Sequence, residues 1–329
     1  MEGQQRIGAL VEVPQVLRDL GADPASVIAS AGIDASQLRN PEDALSFIEV
    51  GKLFQACVTA TGCRHFGFLV GQRSAAASLG LVGRLMRNAP TLRDAILDLC
   101  TNQQRYVRGA VTYLVIQDET AFWGYAVHVP GIRAIEQLCD GALAVGFNIM
   151  QELTGTSPDE VLMSRRAPTD IRPYRQFFGV GPQFDTEQNA FAFPASLLAS
   201  PIVGADRELR RILENTVADY WAVREPSVAD QVIRTLRGRI IFPDTSLEDV
   251  AAHLAMHPRT LNRRLQLENT NFRELLNKAR FEVAQQLLAG TKMEVTNIAF
   301  ALGYADPSGF THAFQRWSGT APSEWRERL

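Results

Sequence analysis

Residues Thr245 to Arg326 carry one helix-turn-helix pattern twice, so this part of the chain must bury two similar apolar stripes in one small helical domain. In the first copy Thr245-Ser246-Leu247-Glu248 reads as a capping box, hydroxyl and carboxylate each satisfying an amide at a helix start. Leu247, Val250, Ala251 and Leu254 follow at the spacing of one buried helical face, until Ala255-Met256-His257-Pro258 interrupts them. Pro258 suits the first turn of a new helix, where a missing N–H costs nothing. That helix turns Leu261 and Leu265 to one side and Arg259, Asn262, Arg263 and Gln266 to the other. A helix fits the major groove of DNA, where bidentate Arg reads guanine and bidentate Asn reads adenine.

The second copy opens with Thr291-Lys292-Met293-Glu294, again a capping box by pattern, and buries Val295, Ile298, Ala299 and Leu302. Gly303-Tyr304-Ala305-Asp306-Pro307 is its turn, with Asp306 as cap and Pro307 as first helical residue. Phe310, Ala313, Phe314 and Trp317 form the inner stripe, leaving Ser308, Thr311, His312 and Gln315 outside. A helix capped by Asn271 and closed by Gly290 joins the units, carrying Phe272, Leu275, Leu276, Ala279, Val283, Leu287 and Leu288. The competing reading is an ordinary helical bundle with solvated polar faces; the position-by-position duplication argues against it.

On these residues the chain resembles the AraC/XylS family of bacterial transcription regulators. His-Pro-Arg-Thr-Leu-Asn-Arg-Arg-Leu at 257–265, Gly-Tyr-Ala-Asp-Pro-Ser-Gly-Phe at 303–310 and the run from Phe314 to Arg326 carry the likeness over about the last hundred residues. It implies DNA as partner, with RNA polymerase beside it. Two positions depart from the family pattern. Ala255 stands where a turn glycine is usual, and His257 stands where a capping serine is usual. If the turn demands a left-handed residue, Ala costs on the order of 1 kcal/mol relative to Gly, which would make the first unit the looser one. Position in the family pattern assigns base contacts to Arg259, Asn262 and Arg263 in one half-site and to Ser308, Thr311 and His312 in the other. Arg264, at the flank of the inner stripe, is assigned to phosphate.

Net charge alone would vote against a nucleic-acid binder, since it is −3 over 329 residues. The partition is more informative: Ser227 to Leu329 holds 13 basic against 11 acidic residues, while the remainder holds 20 against 25. The expected organisation is two domains, a regulatory region at 1–225 and a DNA-binding region at 226–329, joined at Pro226-Ser227. No basic-then-apolar leader opens the chain and no run is apolar enough to span a bilayer, so a cytoplasmic protein is expected. Cys57, Cys63, Cys100 and Cys139 lack paired spacing and read as reduced thiols in apolar surroundings; no metal-ligand cluster and no cofactor motif is found.

The first half reads as α+β, against an all-α second half. Helices broken at Gly21 to Pro24, Gly32 to Asp34 and Asn88 to Pro90 run to about residue 104, with Leu81, Leu85, Leu92, Ile96 and Leu99 as core. A hairpin follows at 111–116 and 121–129, then a long helix at 132–153, strands near 160–164 and 191–193, and a helix at 173–178 between them. A helix over 203–225, with Ile212, Leu213, Val217 and Trp221 apolar, could pack within the chain or against a second copy, so a homodimer stays open. Pro173 to Gly179, Phe184 and Phe191 to Pro194 resemble, more diffusely, the sensor of the family's subgroup without an arabinose-type barrel, which implies an unnamed small-molecule effector. Alternation along the hairpin puts Trp123 and Tyr125 on one face and Phe122 and His128 on the other. Trp123, Tyr125 and His128 are the candidate ligand contacts, with core packing as the competing reading. An alkyl-transfer repair enzyme carrying the same DNA-reading module is the alternative function; it would need an activated cysteine.

Overall fold

The computed structural model describes residues 3–103, 107–224, 227–239 and 245–329. The chain opens with β1 (Gln4–Arg6), α1 (Val13–Asp19), α2 (Pro24–Ser30) and β2 (Ala44–Ser46). Asp23 caps α2 by accepting from the Ser26 amide at 2.9 Å, and Pro24 then takes the first helical position. α3 (Phe47–Thr61) starts at a capping box between Ser46 and Glu49 and stops at Gly62, whose φ of 67° places it in the left-handed region. α4 (Phe66–Gln72), α5 (Gly80–Arg87) and α6 (Leu92–Asn102) follow, then β3 (Val107–Arg108) and the hairpin β4 (Ala110–Gln117) and β5 (Thr120–Val127). α7 (Ile135–Thr154), β6 (Glu160–Met163), α8 (Arg172–Phe178), β7 (Gln183–Phe184), β8 (Asn189–Pro194) and α9 (Arg207–Arg224) complete the first half.

Five strands form an open sheet in the order β4-β5-β8-β6-β7, antiparallel except for the pair β6-β7. The hairpin register sets Thr112 opposite Tyr125 and Tyr113 opposite Gly124. A second sheet, β2-β1-β3, was not expected, because strands of two or three residues are too short to show alternation. β7 escaped for the same reason. The α+β expectation holds, with helices gathered around open sheets. One apolar cluster joins α4 to α8, α7 and one sheet face through Phe68, Phe147, Tyr174, Phe178 and Phe191. Between α4 and α7 the approach is backbone to backbone: a Cβ on Gly71 would lie 2.2 Å from the Gly141 carbonyl oxygen.

α10 (Val228–Arg239) begins the second half, and Pro226 of the expected junction lies outside the described residues, as does the placement of the Trp221 side chain. α11 (Leu247–His253), α12 (Pro258–Leu267), α13 (Phe272–Gly290), α14 (Val295–Ala301), α15 (Pro307–Ser318) and α16 (Pro322–Glu327) are all helical. α10 was missed by the sequence reading, although Val228, Val232, Ile233 and Leu236 mark a buried stripe. It packs on α6 as well as on α13; a Cβ on Gly238 would stand 2.7 Å from the Thr101 backbone nitrogen. Glu268, just past α12, accepts from the Val228 and Ala229 amides at 2.8 Å each, so the start of α10 is capped by the first reader unit.

Candidate nucleic-acid interface

In the first unit the cap lies one residue later than the pattern suggested. Ser246 accepts from the Asp249 amide at 3.1 Å and Asp249 accepts from the Ser246 amide at 3.1 Å, so the box is Ser246/Asp249 rather than Thr245/Glu248. Thr245 instead donates to the Arg239 carbonyl at 2.6 Å. After α11 the turn is closed by Met256 N–H donating to the Ala251 carbonyl at 2.8 Å, which requires the residue between to be left-handed. That residue is Ala255, with φ of 52°. His257 then caps α12 by accepting the Arg259 amide on Nδ1 at 3.2 Å, an imidazole serving where a hydroxyl is usual. Leu261 and Leu265 are fully buried, and Arg259, Asn262, Arg263, Arg264 and Gln266 are all exposed.

The second unit has the same turn: Tyr304 N–H donates to the Ala299 carbonyl at 3.0 Å, and Gly303 takes the left-handed position with φ of 73°. Its first helix lacks the expected capping box. Glu294 is the cap residue without a side-chain bond, while Thr291 ends α13 and donates to the Leu287 carbonyl at 2.7 Å. Gly290 likewise is no left-handed terminator; it lies flat against β5, where a Cβ would be 3.0 Å from the Val127 carbonyl oxygen. Asp306 caps α15 through the Gly309 amide at 3.1 Å, and Pro307 begins the helix. Backbone N–H groups of Ser308 and Gly309 hold the Asp306 carboxyl below its usual range. Phe310 and Phe314 are fully buried, Ala313 is buried and Trp317 half-buried. Ser308 and His312 are exposed and Thr311 is half-buried. The Ser308 hydroxyl donates to Asp306 at 3.2 Å and the Thr311 hydroxyl to the Pro307 carbonyl at 3.0 Å, so both offer an acceptor outward more readily than a donor.

Behind the readers, the β4-β5 hairpin is shared between the halves. Tyr113, Val115 and Ala126 belong to the apolar core of the reader helices, with Val111 and Phe122 packed against it. Alternation turns Thr112, Trp123 and Tyr125 the other way, into a cavity of about 160 Å³ bounded by α4, α7 and the segment Gln5 to Leu10. Trp123 and Tyr125 thus come together at one cavity, whereas His128 lies beyond the end of β5 and does not line it. Burial lowers the affinity of His128 for a proton. Lining residues on the Gln5 to Leu10 segment and on α7 were not found from sequence. Their small residues, Gly141, Ala142 and Gly146, gave only a helix pattern.

Two helix-turn-helix units with exposed polar outer faces define a DNA-binding protein of the transcription-regulator class. Comparison with known proteins agrees. The arabinose-binding N-terminal domain of AraC transcription regulators matches residues 21–202, and a helix-turn-helix domain matches residues 250–328. An uncharacterised HTH-type transcriptional regulator of Mycobacterium tuberculosis is 30% identical, over 95% of this chain and 94% of that one. The ornithine utilization regulator of Pseudomonas aeruginosa is 24% identical over 95% and 93%. Among solved structures, the transcriptional regulator CdpR of Pseudomonas aeruginosa aligns at 21% identity with a TM-score of 0.47, over 94% of this chain and 97% of that one. The chain belongs to the AraC family of transcription regulators. Among the described residues no helix is long and apolar enough to cross a membrane, and no His/Cys/Asp/Glu group could hold a metal ion.

Proposed function

We propose that one chain reads a bipartite, nonpalindromic DNA site, with α12 and α15 entering successive major grooves about 10 base pairs apart. Arg259, Asn262 and Arg263 read one half, Gln266 extends that face, and Ser308, Thr311 and His312 read the other. Arg264 holds phosphate. The observation that carries this reading is the pair of turns with one hydrogen-bond pattern, each leaving a polar face exposed above a buried stripe. The regulatory and DNA-binding regions divide near residues 225 and 226, and RNA polymerase is the further partner that family membership suggests.

A small-molecule effector in the Trp123/Tyr125 cavity controls the readers. The β4-β5 layer supports this, because one face lines the cavity while the other lies in the reader core. A ligand moves such a layer only by binding one of its states better, and DNA must then change ligand affinity equally. Coupling of about 1 to 3 kcal/mol is the expected size. Footprinting and affinity titrations on one retained operator, with and without a ligand found by thermal-shift screening, test both statements. Protection of a single groove, or a ligand that leaves DNA affinity unchanged, would refute the corresponding half.

The alkyl-transfer alternative has little to stand on. Burial pushes the thiols of Cys57, Cys100 and Cys139 up to about 12, and raises Cys63 as well, which is opposite to the activation that chemistry needs. Exposure to alkylated DNA should leave every cysteine unmodified by mass spectrometry.

A further inference from the structure

The sensor cavity is chemically lopsided. Most of its wall is aliphatic or aromatic, including Val70, Leu143, Val145, Ile149, Trp123 and Phe191. Arg6 is the one charged side chain among the described residues that line it. That guanidinium is buried and already committed: Nε and Nη2 bond the Glu42 carboxylate and Nη1 donates to the Ser78 carbonyl. Its charge is therefore already paired, and a carboxylate entering the cavity would have to compete with Glu42 for it.

Three polar groups come together beside the hairpin. Thr112 and Tyr125 stand opposite each other across the hairpin, and Gln103 accepts from the Thr112 amide. The hydroxyls of Thr112 and Tyr125 and the Gln103 amide nitrogen have no hydrogen-bond partner among the described residues. Gln5, on the strand beside β3, keeps Oε1 buried without a partner. Tyr125 also retains accessible surface while its environment is apolar enough to raise its hydroxyl pKa, as a side chain facing an internal cavity should.

Resting on the effector reading above, we propose that the cavity takes a neutral, compact molecule, apolar over most of its surface, with one hydroxyl-like group at the Gln5/Gln103/Thr112/Tyr125 end. Volume gives the scale: an apolar cavity of roughly 150 Å³ holds a single benzene ring. Sugars and amino acids do not fit this chemistry. A sugar brings a hydroxyl on nearly every carbon and an amino acid brings two charges, and each unpaired group buried against this wall costs more than the apolar contact returns. The arabinose in the name of the matched family and the ornithine in that of one relative therefore do not transfer to this cavity.

Benzyl alcohol, toluene, benzoate, benzylammonium, L-arabinose and L-ornithine, titrated against the full chain by calorimetry and thermal unfolding, test the assignment. Benzyl alcohol should bind saturably, toluene several-fold more weakly, and the two charged analogues on the order of tenfold or more weaker still. Ala142→Leu, which fills the cavity from α7, should abolish binding. Should that variant not fold, Tyr125→Phe provides the check by narrowing the gap between benzyl alcohol and toluene. Binding of benzoate, arabinose or ornithine as tight as that of benzyl alcohol overturns the proposal, as does no binding by either neutral aromatic. Retention of benzyl alcohol affinity in folded Ala142→Leu overturns it too. Saturable binding that fails to change DNA affinity leaves the ligand class standing and removes the effector reading instead.

Discussion

The two reader units share one backbone path and differ in almost everything that holds it. The second has glycine at its left-handed turn, an aspartate cap and an aromatic cluster in which Phe314 meets Phe281, Phe310 and Trp325 with ring centroids 5.3 to 6.0 Å apart. The first has alanine at the same turn, an imidazole cap and two leucines inside. Outer faces are reversed in strength: Arg, Asn and Arg on the first, Ser, Thr and His on the second, two of whose hydroxyls are spent within the helix. On the reading proposed above, the stronger base readers stand on the unit with the alanine turn and the imidazole cap. On that reading, base discrimination and helix stability are set by opposite faces of one helix.

The largest effect expected is on the second scaffold. Phe314→Ala should cost about 3 to 5 kcal/mol of unfolding free energy, and Leu265→Ala about 2 to 5. If chemical denaturation shows Leu265→Ala to be the costlier of the two, the second unit is not the better anchored. Next in size is base reading. Arg263→Ala should lose about 1 to 3 kcal/mol of operator binding and relax preference in one half-site only, while His312→Ala loses less and in the other half. Equal loss on every DNA sequence, or effects on the same base pairs, would break the two-groove assignment.

Smaller still is the turn exchange. Gly303→Ala should destabilise by about 1 kcal/mol and Ala255→Gly should stabilise by up to about that amount, because only glycine adopts positive φ without steric cost. Thermal unfolding of both variants measures the difference between the units directly, and a neutral Ala255→Gly would show that the strain is relieved elsewhere. Smallest is Arg264→Ala, which should weaken all sequences alike and flatten the slope of affinity against salt by about one phosphate contact. A loss confined to one sequence would move Arg264 among the base readers.

Much of this was legible in order along the chain. Periodicity located both reader units, their prolines and the inner and outer faces, since a helix turns residues to fixed sides whatever it later packs against. The possibility of a strained Ala255 came from the family's usual glycine at that position, and its φ of 52° shows that the turn is left-handed there. Alternation also separated Trp123 and Tyr125 from Phe122. Caps were misplaced at Thr245 and Thr291 because several hydroxyls and carboxylates compete locally, and hydrogen-bond geometry chooses among them.

What periodicity cannot supply is the partner of each face. Alternation along the hairpin allows one face to line a pocket and the other to pack on helices, but nothing in residues 111–126 says that those helices lie more than a hundred residues later. Gly290 reads as a helix end and Gly238 gives no local sign, yet each marks where one half of the chain touches the backbone of the other. Arg6 carries no local sign of a partner in the sequence, and only the fold closes Glu42 and Ser78 on it. Local pattern records the geometry of one element at a time, whereas burial of a face, neutralisation of a charge and the shape of a cavity are sums over segments brought together only by the tertiary fold.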